Sequence, residues 1–328
     1  YVVGEELPAV FGNSAPKGNY ADMRTDGWEA SLSWRDSHKV AGKTLSYNIK
    51  VAVWDNTSKI TRYTAKTGTL PTNYSINYYE GMTLGEMWGY KCDGLFQSDE
   101  EAQTWANYSK FTNRSATWQA GDPRYLDLNG DGYVNNGNNT IYDHGDLVKI
   151  GNTTPRYSYS IQGGVRWNGI GISMMWQGVG KRDWYPAKES GYFWGQYGRP
   201  YSMALPWHNS DRWSPTNRGA YWPRLVGYSA SDSGLILAQP NTRYVQDASY
   251  IRLKNLTIDY NFPKELVNKI GLQALKIYVS GENLLTFSPL KKYAKNYDPE
   301  GIYAGDADYG TNKFCLLYTS PSPRDMRR

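Results

Sequence analysis

The stretch RYSYSIQGGVRWNGIGISMMWQ, residues 156–177, decides the fold of this chain of 328 residues. From Tyr157 to Ile161, and again from Ile170 to Met174, every second residue is apolar. Successive side chains on a β-strand point to opposite faces, so each half predicts a strand with one apolar and one polar face. Only Asn168 and Gly169 lie between the two halves. The stretch therefore predicts two neighbouring strands joined by a short turn.

Four further segments repeat this alternation. The six predicted strands lie near 26–36, 44–54, 156–167, 170–180, 249–262 and 273–287. A soluble β-sandwich shows the same alternation, so the pattern alone does not distinguish a soluble protein from a membrane protein. Aromatic residues such as Trp28 and Trp34 at the ends of the apolar faces favour a membrane barrel, as do charged and amide side chains in the middle of the polar faces.

The lengths of the connections favour the barrel more strongly. Short connections follow the first, third and fifth strands, whereas the other connections cover residues 55–155, 181–248 and 288–314. A usual loop has about 4–6 residues. All short turns thus fall at one end of the sheet and all long loops at the other, as periplasmic turns and extracellular loops do in an outer-membrane barrel. The expected fold is all-β, an antiparallel transmembrane β-barrel of which this chain supplies about six strands.

Composition is compatible with this interpretation. The mean hydropathy of −0.68 and the absence of a long apolar run exclude a transmembrane helix, whereas a barrel strand needs only about 9–11 alternating residues. The 29 Tyr and 13 Trp residues suit interface belts and ligand stacking. The net charge is +5, and Lys and Arg are scattered among acids, so no nucleic-acid partner is expected. Two cysteines predict no disulfide framework.

Both ends of the sequence point to a fragment. The chain starts at Tyr1, and no charged and apolar leader precedes the first strand, so we expect a truncated protein rather than a cytoplasmic one. The β pattern covers residues 1–314. From Cys315 to Asp325 the sequence resembles translated adapter sequence from a sequencing library, so residues 315–328 are expected to be non-native. A natural disordered terminus rich in Ser, Pro and Arg is the alternative.

A loop at 127–138 carries a possible calcium motif. Oxygen-bearing side chains occupy its first, third and fifth positions and Gly132 its sixth, which completes the first half of the signature. The candidate ligands are Asp127, Asn129, Asp131, Tyr133 and Asn135. The twelfth position is Asn138 instead of a bidentate Glu, although Asp143 or Asp146 could substitute. A metal-free loop of Asx turns is an equal alternative, and no other cofactor is required.

The second long loop is unusually aromatic. Its candidate substrate-binding residues are Trp184, Trp194, Trp207, Trp213, Tyr221 and Trp222. Flat rings beside hydrogen-bonding side chains suit sugars, and they equally suit a peptide or a partner protein. A small aromatic core within the loop is the alternative for any one of them. His38, His144 and His208 lie far apart in sequence without triad partners, so the chain is not expected to be an enzyme.

A series of motifs resembles the SusC/RagA-like family of TonB-dependent outer-membrane transporters. In order along the chain they include YEGMTLGEMWGYKCDGLFQ (79–97), YLDLNGDG (125–132), DRW (211–213), YIRLKNL (250–256), YVSGENL (278–284) and YDPE (297–300). Each motif alone is weak, but their order extends over nearly all of residues 22–314. The resemblance implies a barrel of about 22 strands closed by an N-terminal plug, with only part of the barrel present here.

The resemblance also implies partners and a function. A SusD-like surface lipoprotein would close over the extracellular loops, and the TonB complex would act on the plug, which this chain lacks. The expected function is import of an oligomeric nutrient across the outer membrane, with a glycan as the first cargo and an oligopeptide as the alternative. A secreted, aromatic-rich carbohydrate-binding β-domain without a transport role is the alternative from another class.

Overall fold

The computed structural model describes residues 2–4, 17–64, 69–71, 77–108, 117–188, 190–198, 204–226, 230, 236–237 and 239–302. Almost all of the regular structure is β. In chain order the strands are β1 (Val2–Gly4), β2 (Lys17–Asn19), β3 (Ala21–Val40), β4 (Lys43–Tyr63), β5 (Glu86–Tyr90), β6 (Cys92–Leu95), β7 (Pro123–Tyr125), β8 (Leu147–Asn152), β9 (Arg156–Trp167), β10 (Ile170–Lys181), β11 (Asp183–Trp184), β12 (Gln246–Asp247), β13 (Tyr250–Asn261) and β14 (Lys276–Phe287). The expected non-native tail, 315–328, lies outside the described residues.

Helices are short and few in the described ranges. They are α1 (Asp99–Tyr108), α2 (Gly191–Trp194), α3 (Pro206–Ser210) and α4 (Lys264–Lys269), with 3₁₀ turns at Gly195–Tyr197 and Pro289–Lys292. The amide of Glu101 donates to Ser98 Oγ at 3.1 Å, so Ser98 caps α1. Within the described residues, no helix has both the length and the apolarity needed to cross a membrane.

Six strands form one antiparallel sheet in the order β14-β13-β10-β9-β4-β3. Every strand pairs with its neighbour along the chain, so the sheet is an up-and-down meander. The predicted fold class is confirmed as an antiparallel barrel wall of six strands. The two strands at 21–40 and 43–63 are about twice as long as predicted, because the second half of β4 continues beyond the other four strands of the sheet, where it pairs with β3 on one side and with residues 81–84 on the other.

The register gives the sheet one apolar and one polar face. Tyr47, Val165, Ile172, Ile258 and Val279 lie side by side across five strands. Most of this row is open on its outer side, with Val279 at 74% exposure. Contiguous exposed apolar rows are unfavourable in water and are the expected surface of a barrel strand against lipid.

The polar face lies on the other side of the same strands. The next row of the register is Asn48, Gly164, Ser173, Thr257 and Ser280. The Thr257 and Ser280 hydroxyls hydrogen-bond with each other at 2.8 Å. Such a polar row suits a wet lumen and is costly in a dry interior. We call this side the inward face.

The short turns lie at one end of the sheet, as predicted. β3 and β4 are joined by Ala41 and Gly42, both with positive φ, and β9 and β10 by Asn168 and Gly169, again both with positive φ. Two such residues match the right-handed twist of paired strands, so these hairpins are tight. The strands predicted near 26–36 and 44–54 therefore left a longer connection than the structure has. α4 lies in the third short connection, at the same end of the sheet.

The long connections at the other end cover 64–155, 182–249 and the segment from 288 onward, and we call them the first, second and third loops. Their described residues share one buried core, in which Trp88 and Tyr125 of the first loop lie with Trp194 and Trp222 of the second and Tyr297 of the third. We call this unit the loop body.

Candidate functional site

The first and second loops are joined edge to edge. The amide of Tyr90, in β5, donates to the carbonyl of Pro240 at 2.8 Å, and the amide of Thr242 donates to the carbonyl of Tyr90 at 3.0 Å. Gly89 permits this approach, because a Cβ there would lie 2.4 Å from the Pro240 oxygen. The two loops therefore fold as one unit.

A buried ion pair makes a second connection between these loops. Arg224 Nε donates to Asp122 Oδ1 at 2.6 Å, and the amide of Gln119 donates to Asp122 Oδ2 at 3.0 Å. The Asp122 side chain is fully buried. Removing either partner of such a pair leaves an uncompensated charge, so this contact fixes the relative positions of the two loops.

The first of the resemblance motifs has a structural role in this unit. The Glu86 carboxylate, nearly buried, accepts from the Tyr79 hydroxyl, the Thr83 amide and Lys149 Nζ. Burial opposes ionisation of Glu86, but these three donors outweigh it and hold its pKa below the ordinary value. Burial and the bond to Glu86 raise the pKa of Tyr79. The motif therefore holds β5 against β8.

The structure brings the six predicted aromatic residues into or beside one cluster. Trp194 and Trp222 are completely buried, with ring centroids 6.1 Å apart, and Trp184 is almost as buried. Trp207 is half-buried at the edge of the cluster, and the half-buried Trp213 is joined to it through its amide, which donates to the Trp222 carbonyl at 2.9 Å. Burial of the first three favours the loop-core alternative for them.

Tyr221 closes the cluster toward the third loop. Its ring stacks on Tyr293 with centroids 3.6 Å apart and planes 7° apart, while Arg243 lies over it at 5.7 Å. Burial raises the pKa of Tyr221 above its ordinary value. Any contact of Trp207, Trp213 or Tyr221 with cargo stays a prediction.

A buried histidine occupies the centre of the same cluster. His208 lies edge-on to Trp222 at 4.4 Å, and its Nε2 is 2.7 Å from the Phe193 carbonyl. Its Nδ1 accepts from the Leu205 amide at 3.4 Å, which identifies the neutral Nε2–H tautomer. Burial lowers the pKa of His208 to about 4. The imidazole is thus a neutral structural hydrogen-bonding group, bonded within the described residues to the Leu205 amide and the Phe193 carbonyl.

A polar cluster holds the third loop on the sheet, and sequence reasoning missed it. Arg252, on β13, donates to Thr286 Oγ1 at 2.9 Å, to Glu300 at 2.6 Å and to Asp298. Lys254 Nζ also donates to Glu300. The available signal was a pair of mid-strand cations in one motif and a pair of acids in another, YIRLKNL and YDPE.

The possible calcium loop is organised by Asx turns. Asp127 accepts from the amides of Gly130 and Gly132 at 2.6 and 2.9 Å, and Asp131 accepts from the Tyr133 amide at 2.7 Å. Asn129 Oδ1 accepts from the Asp131 amide. These bonds shape the loop, and they leave lone pairs on each carboxylate.

Two further acids fold back toward this loop. Asp146 accepts from the amides of Leu128 and Asn135, and Asp143 from the amide of Asn138. Within the described ranges, no three His, Cys, Asp or Glu side chains are grouped closely enough to hold a metal ion. Calcium also binds amide and main-chain oxygens, so the calcium site stays a prediction.

The fold and the loop body together define the class. A sheet with one apolar outer face, one polar inner face, tight turns at one end and a packed loop body at the other is a segment of an outer-membrane type of β-barrel. The described residues of its long loops share a common core.

Comparison with known proteins identifies the relatives. No family model matches the chain. The chain is 25% identical over 316 residues to TonB-dependent receptor P3 of Formosa agariphila, a match that covers 93% of this chain and 28% of the relative. It is 27% identical over 187 residues to TonB-dependent receptor P26 of the same organism, covering 56% of this chain and 17% of the relative. The chain thus spans less than a third of these relatives.

Solved structures have the same fold. The RagAB peptide transporter matches with a TM-score of 0.60 and 16% identity over 91% of this chain and 29% of that one. The RagAB peptide importer in its 'open-open' state matches with a TM-score of 0.57 and 16% identity, over 87% of this chain and 27% of that one. The predicted resemblance is confirmed: the chain is similar in sequence to proteins named TonB-dependent receptors and shares the fold of the RagAB structures.

Proposed function

We propose that the chain forms part of the barrel wall and extracellular loops of an outer-membrane receptor that imports an oligomeric nutrient with energy from the TonB complex. The observation that carries the proposal is the sheet with one apolar and one polar face, which has its short connections at one end and its long loops at the other. An apolar outer row suits lipid, and a polar inward face suits a hydrated passage. The relatives named TonB-dependent receptors support the same function.

The proposed cargo is a glycan, bound between the loop body and a SusD-like surface lipoprotein. Half-buried Trp207 and Trp213 offer aromatic surface of the kind on which sugar rings stack. Oligopeptide is the second candidate, because two solved structures with this fold are described as a peptide transporter and a peptide importer. Both cargoes would pass through the same barrel, so the sheet gives no information about which of them is bound.

The test uses the full-length receptor that contains this chain, expressed with its lipoprotein in a strain without other importers of the tested nutrients. Uptake of fluorescent oligosaccharides and of oligopeptides is measured with and without TonB. We expect TonB-dependent uptake of oligosaccharide, reduced about tenfold by Trp207→Ala. Tyr142→Ala is the matched control, because Tyr142 is 95% exposed and belongs to none of the ring pairs found for the described aromatic cluster.

The outcomes separate the candidates. Uptake of peptide alone would replace the glycan, and uptake without TonB would refute the energy source. A receptor that is soluble without detergent and migrates identically in heated and unheated gels would support the secreted carbohydrate-binding domain instead.

A further inference from the structure

The connection between β13 and β14 contains a short amphipathic helix, α4, at the short-turn end of the sheet. Leu266 and Ile270 lie four positions apart, and therefore on one side of the helix, with 55% and 64% of their surface exposed. Leu272, just after the helix, is 46% exposed. Val267, by contrast, is buried and anchors α4. The connection thus presents three large apolar side chains to its surroundings.

The conformation of this connection is fixed by a Schellman motif. The amide of Leu272 donates to the Val267 carbonyl at 3.2 Å, and the amide of Gly271 donates to the Asn268 carbonyl at 3.1 Å. Gly271 has a φ of +75°, which glycine adopts without strain. The exposed apolar side chains therefore belong to an ordered element, and such a patch is unfavourable in water.

The apolar outer face of the sheet extends as far as this connection. On β13, Tyr260 and Phe262 continue the alternation of outer residues that includes Ile258, and the two rings pack with centroids 4.8 Å apart. The amide of Phe262 donates to the Leu275 carbonyl at 3.0 Å, so these two residues lie opposite each other. Leu275 is two positions from the outer residue Ile277 and shares its side of the strand. Apolar outer residues therefore flank α4 on both strands.

The boundary of the apolar zone slants across the outer face. On β3 the zone ends after Trp34, because the next outer positions are Asp36 and His38. The register carries Trp34 across four strand spacings to Leu256 of β13, where the apolar outer positions continue to Phe262, six residues further. Six residues along a strand are about 20 Å and four spacings about 19 Å, so the boundary slopes by about 45°. Barrel strands tilt by about 35–45°, so this line is level with a membrane surface, and α4 begins just beyond it.

Lysines border the exposed apolar side of α4. Lys269 lies three positions from Leu266, at the edge of the apolar stripe, and Lys264 lies on the polar side. Both are exposed. With Glu265 as its one acid, the helix has a net charge of +1. A lysine can lay its apolar stem along an apolar surface and keep its ammonium group in the polar layer of a membrane.

We propose that α4 lies in the periplasmic leaflet of the outer membrane and binds anionic phospholipid. Leu266, Ile270 and Leu272 enter the acyl layer, and Lys264 and Lys269 donate hydrogen bonds to the phosphodiester groups. The inference rests on the proposed function, because the sheet must stand in a bilayer. Continuity with the lipid-facing rows selects lipid as the occupant, and the lysines select an anionic head group.

The experiment is photo-cross-linking in the full-length receptor, reconstituted into vesicles of equal parts phosphatidylethanolamine and phosphatidylglycerol. Benzoylphenylalanine replaces Ile270, and mass spectrometry identifies the adduct. We expect phospholipid adducts. Asn268 is the matched control position, because it is exposed on the same helix and about 160° around the axis from Ile270. Benzoylphenylalanine there should capture lipid at least about fivefold less.

The lysines are tested by the choice between the two lipids. With benzoylphenylalanine at position 270, adducts of phosphatidylglycerol should exceed those of phosphatidylethanolamine about fivefold or more. Lys264→Gln combined with Lys269→Gln should bring this ratio to about one, and the corresponding pair of Arg substitutions should keep it. Lys59→Gln combined with Lys91→Gln is the control, since both lysines are exposed at the long-loop end and the same charge is removed.

Other results overturn the inference. They are adducts at position 270 with polypeptide instead of lipid, equal lipid capture at positions 268 and 270, no preference for phosphatidylglycerol, or a preference that the Gln pair at 264 and 269 leaves unchanged. Heat-dependent gel mobility and uptake are measured in parallel. A receptor that forms a barrel and transports but captures no lipid refutes this inference alone, whereas a receptor that forms no barrel refutes the proposed function as well.

Discussion

Gly89→Ala tests whether the first and second loops form one unit. The new methyl group would lie 2.4 Å from the Pro240 oxygen, and contacts under 3.0 Å are essentially never seen for real Cβ atoms. The backbones of the two loops must therefore separate by more than half an ångström. Both hydrogen bonds between Tyr90 and the 240–242 segment depend on this approach.

The expected cost follows from these contacts. Two weakened backbone hydrogen bonds contribute about 1 kcal/mol each, and overpacking adds at least about 1 kcal/mol. The free energy of opening the loop contact should fall by about 3 kcal/mol, which corresponds to a loss of amide protection of about 100-fold. Hydrogen exchange of the Tyr90 and Thr242 amides, read by mass spectrometry on the full-length receptor, measures this quantity.

Gly219→Ala is the control, because a Cβ at Gly219 meets nothing within 4 Å and its φ is not positive. It should leave protection unchanged. Amides in β9 should remain protected in both variants, since the barrel sheet does not depend on the loop contact. Exchange at Tyr90 and Thr242 that changes less than about threefold in Gly89→Ala would refute the reasoning.

Three further predictions concern the loop body. The neutral His208 should contribute its full share of the loop body's stability above pH 6.5, and this share, up to about 3 kcal/mol, should be lost as the pH falls toward 4. The reason is that the pKa of His208 is lowered from 6.5 to about 4, so the unfolded chain takes up the proton first. Hydrogen exchange measured against pH should show this loss in the wild type and not in His208→Gln. Arg252→Ala should lower the free energy of detaching the third loop from the sheet by about 3 kcal/mol, and should accelerate tryptic cleavage at Lys291. Lys269→Ala, in the short connection, should change neither. If calcium binds, chelation should lower protection of the Gly132 amide, and Asp131→Asn should remove this dependence; identical protection with and without chelator would reject the site.

The wall was predictable because its signal is local. Alternation with period two is a property of consecutive residues, and the parity of connections needs only their lengths. The strand ends were less accurate. The second half of β4, from Asp55 to Tyr63, carries Asn56 and Ser58 among its residues, so its apolar period is weak. Pairing with β3 on one side and with residues 81–84 on the other, which the sequence does not display, extends the strand there.

The loop body was much less predictable, because its decisive contacts join distant residues. Asp122 and Arg224 are 102 positions apart, and the Tyr125 hydroxyl donates to a carbonyl 111 positions away. Composition also cannot separate two uses of an aromatic ring. Trp222 inside the core and Trp207 at its edge have the same kind of neighbours in sequence, yet only a ring with an open face can stack on a ligand. A binding hypothesis for this loop therefore depends on exposure, and exposure is decided by which distant segments pack against each ring.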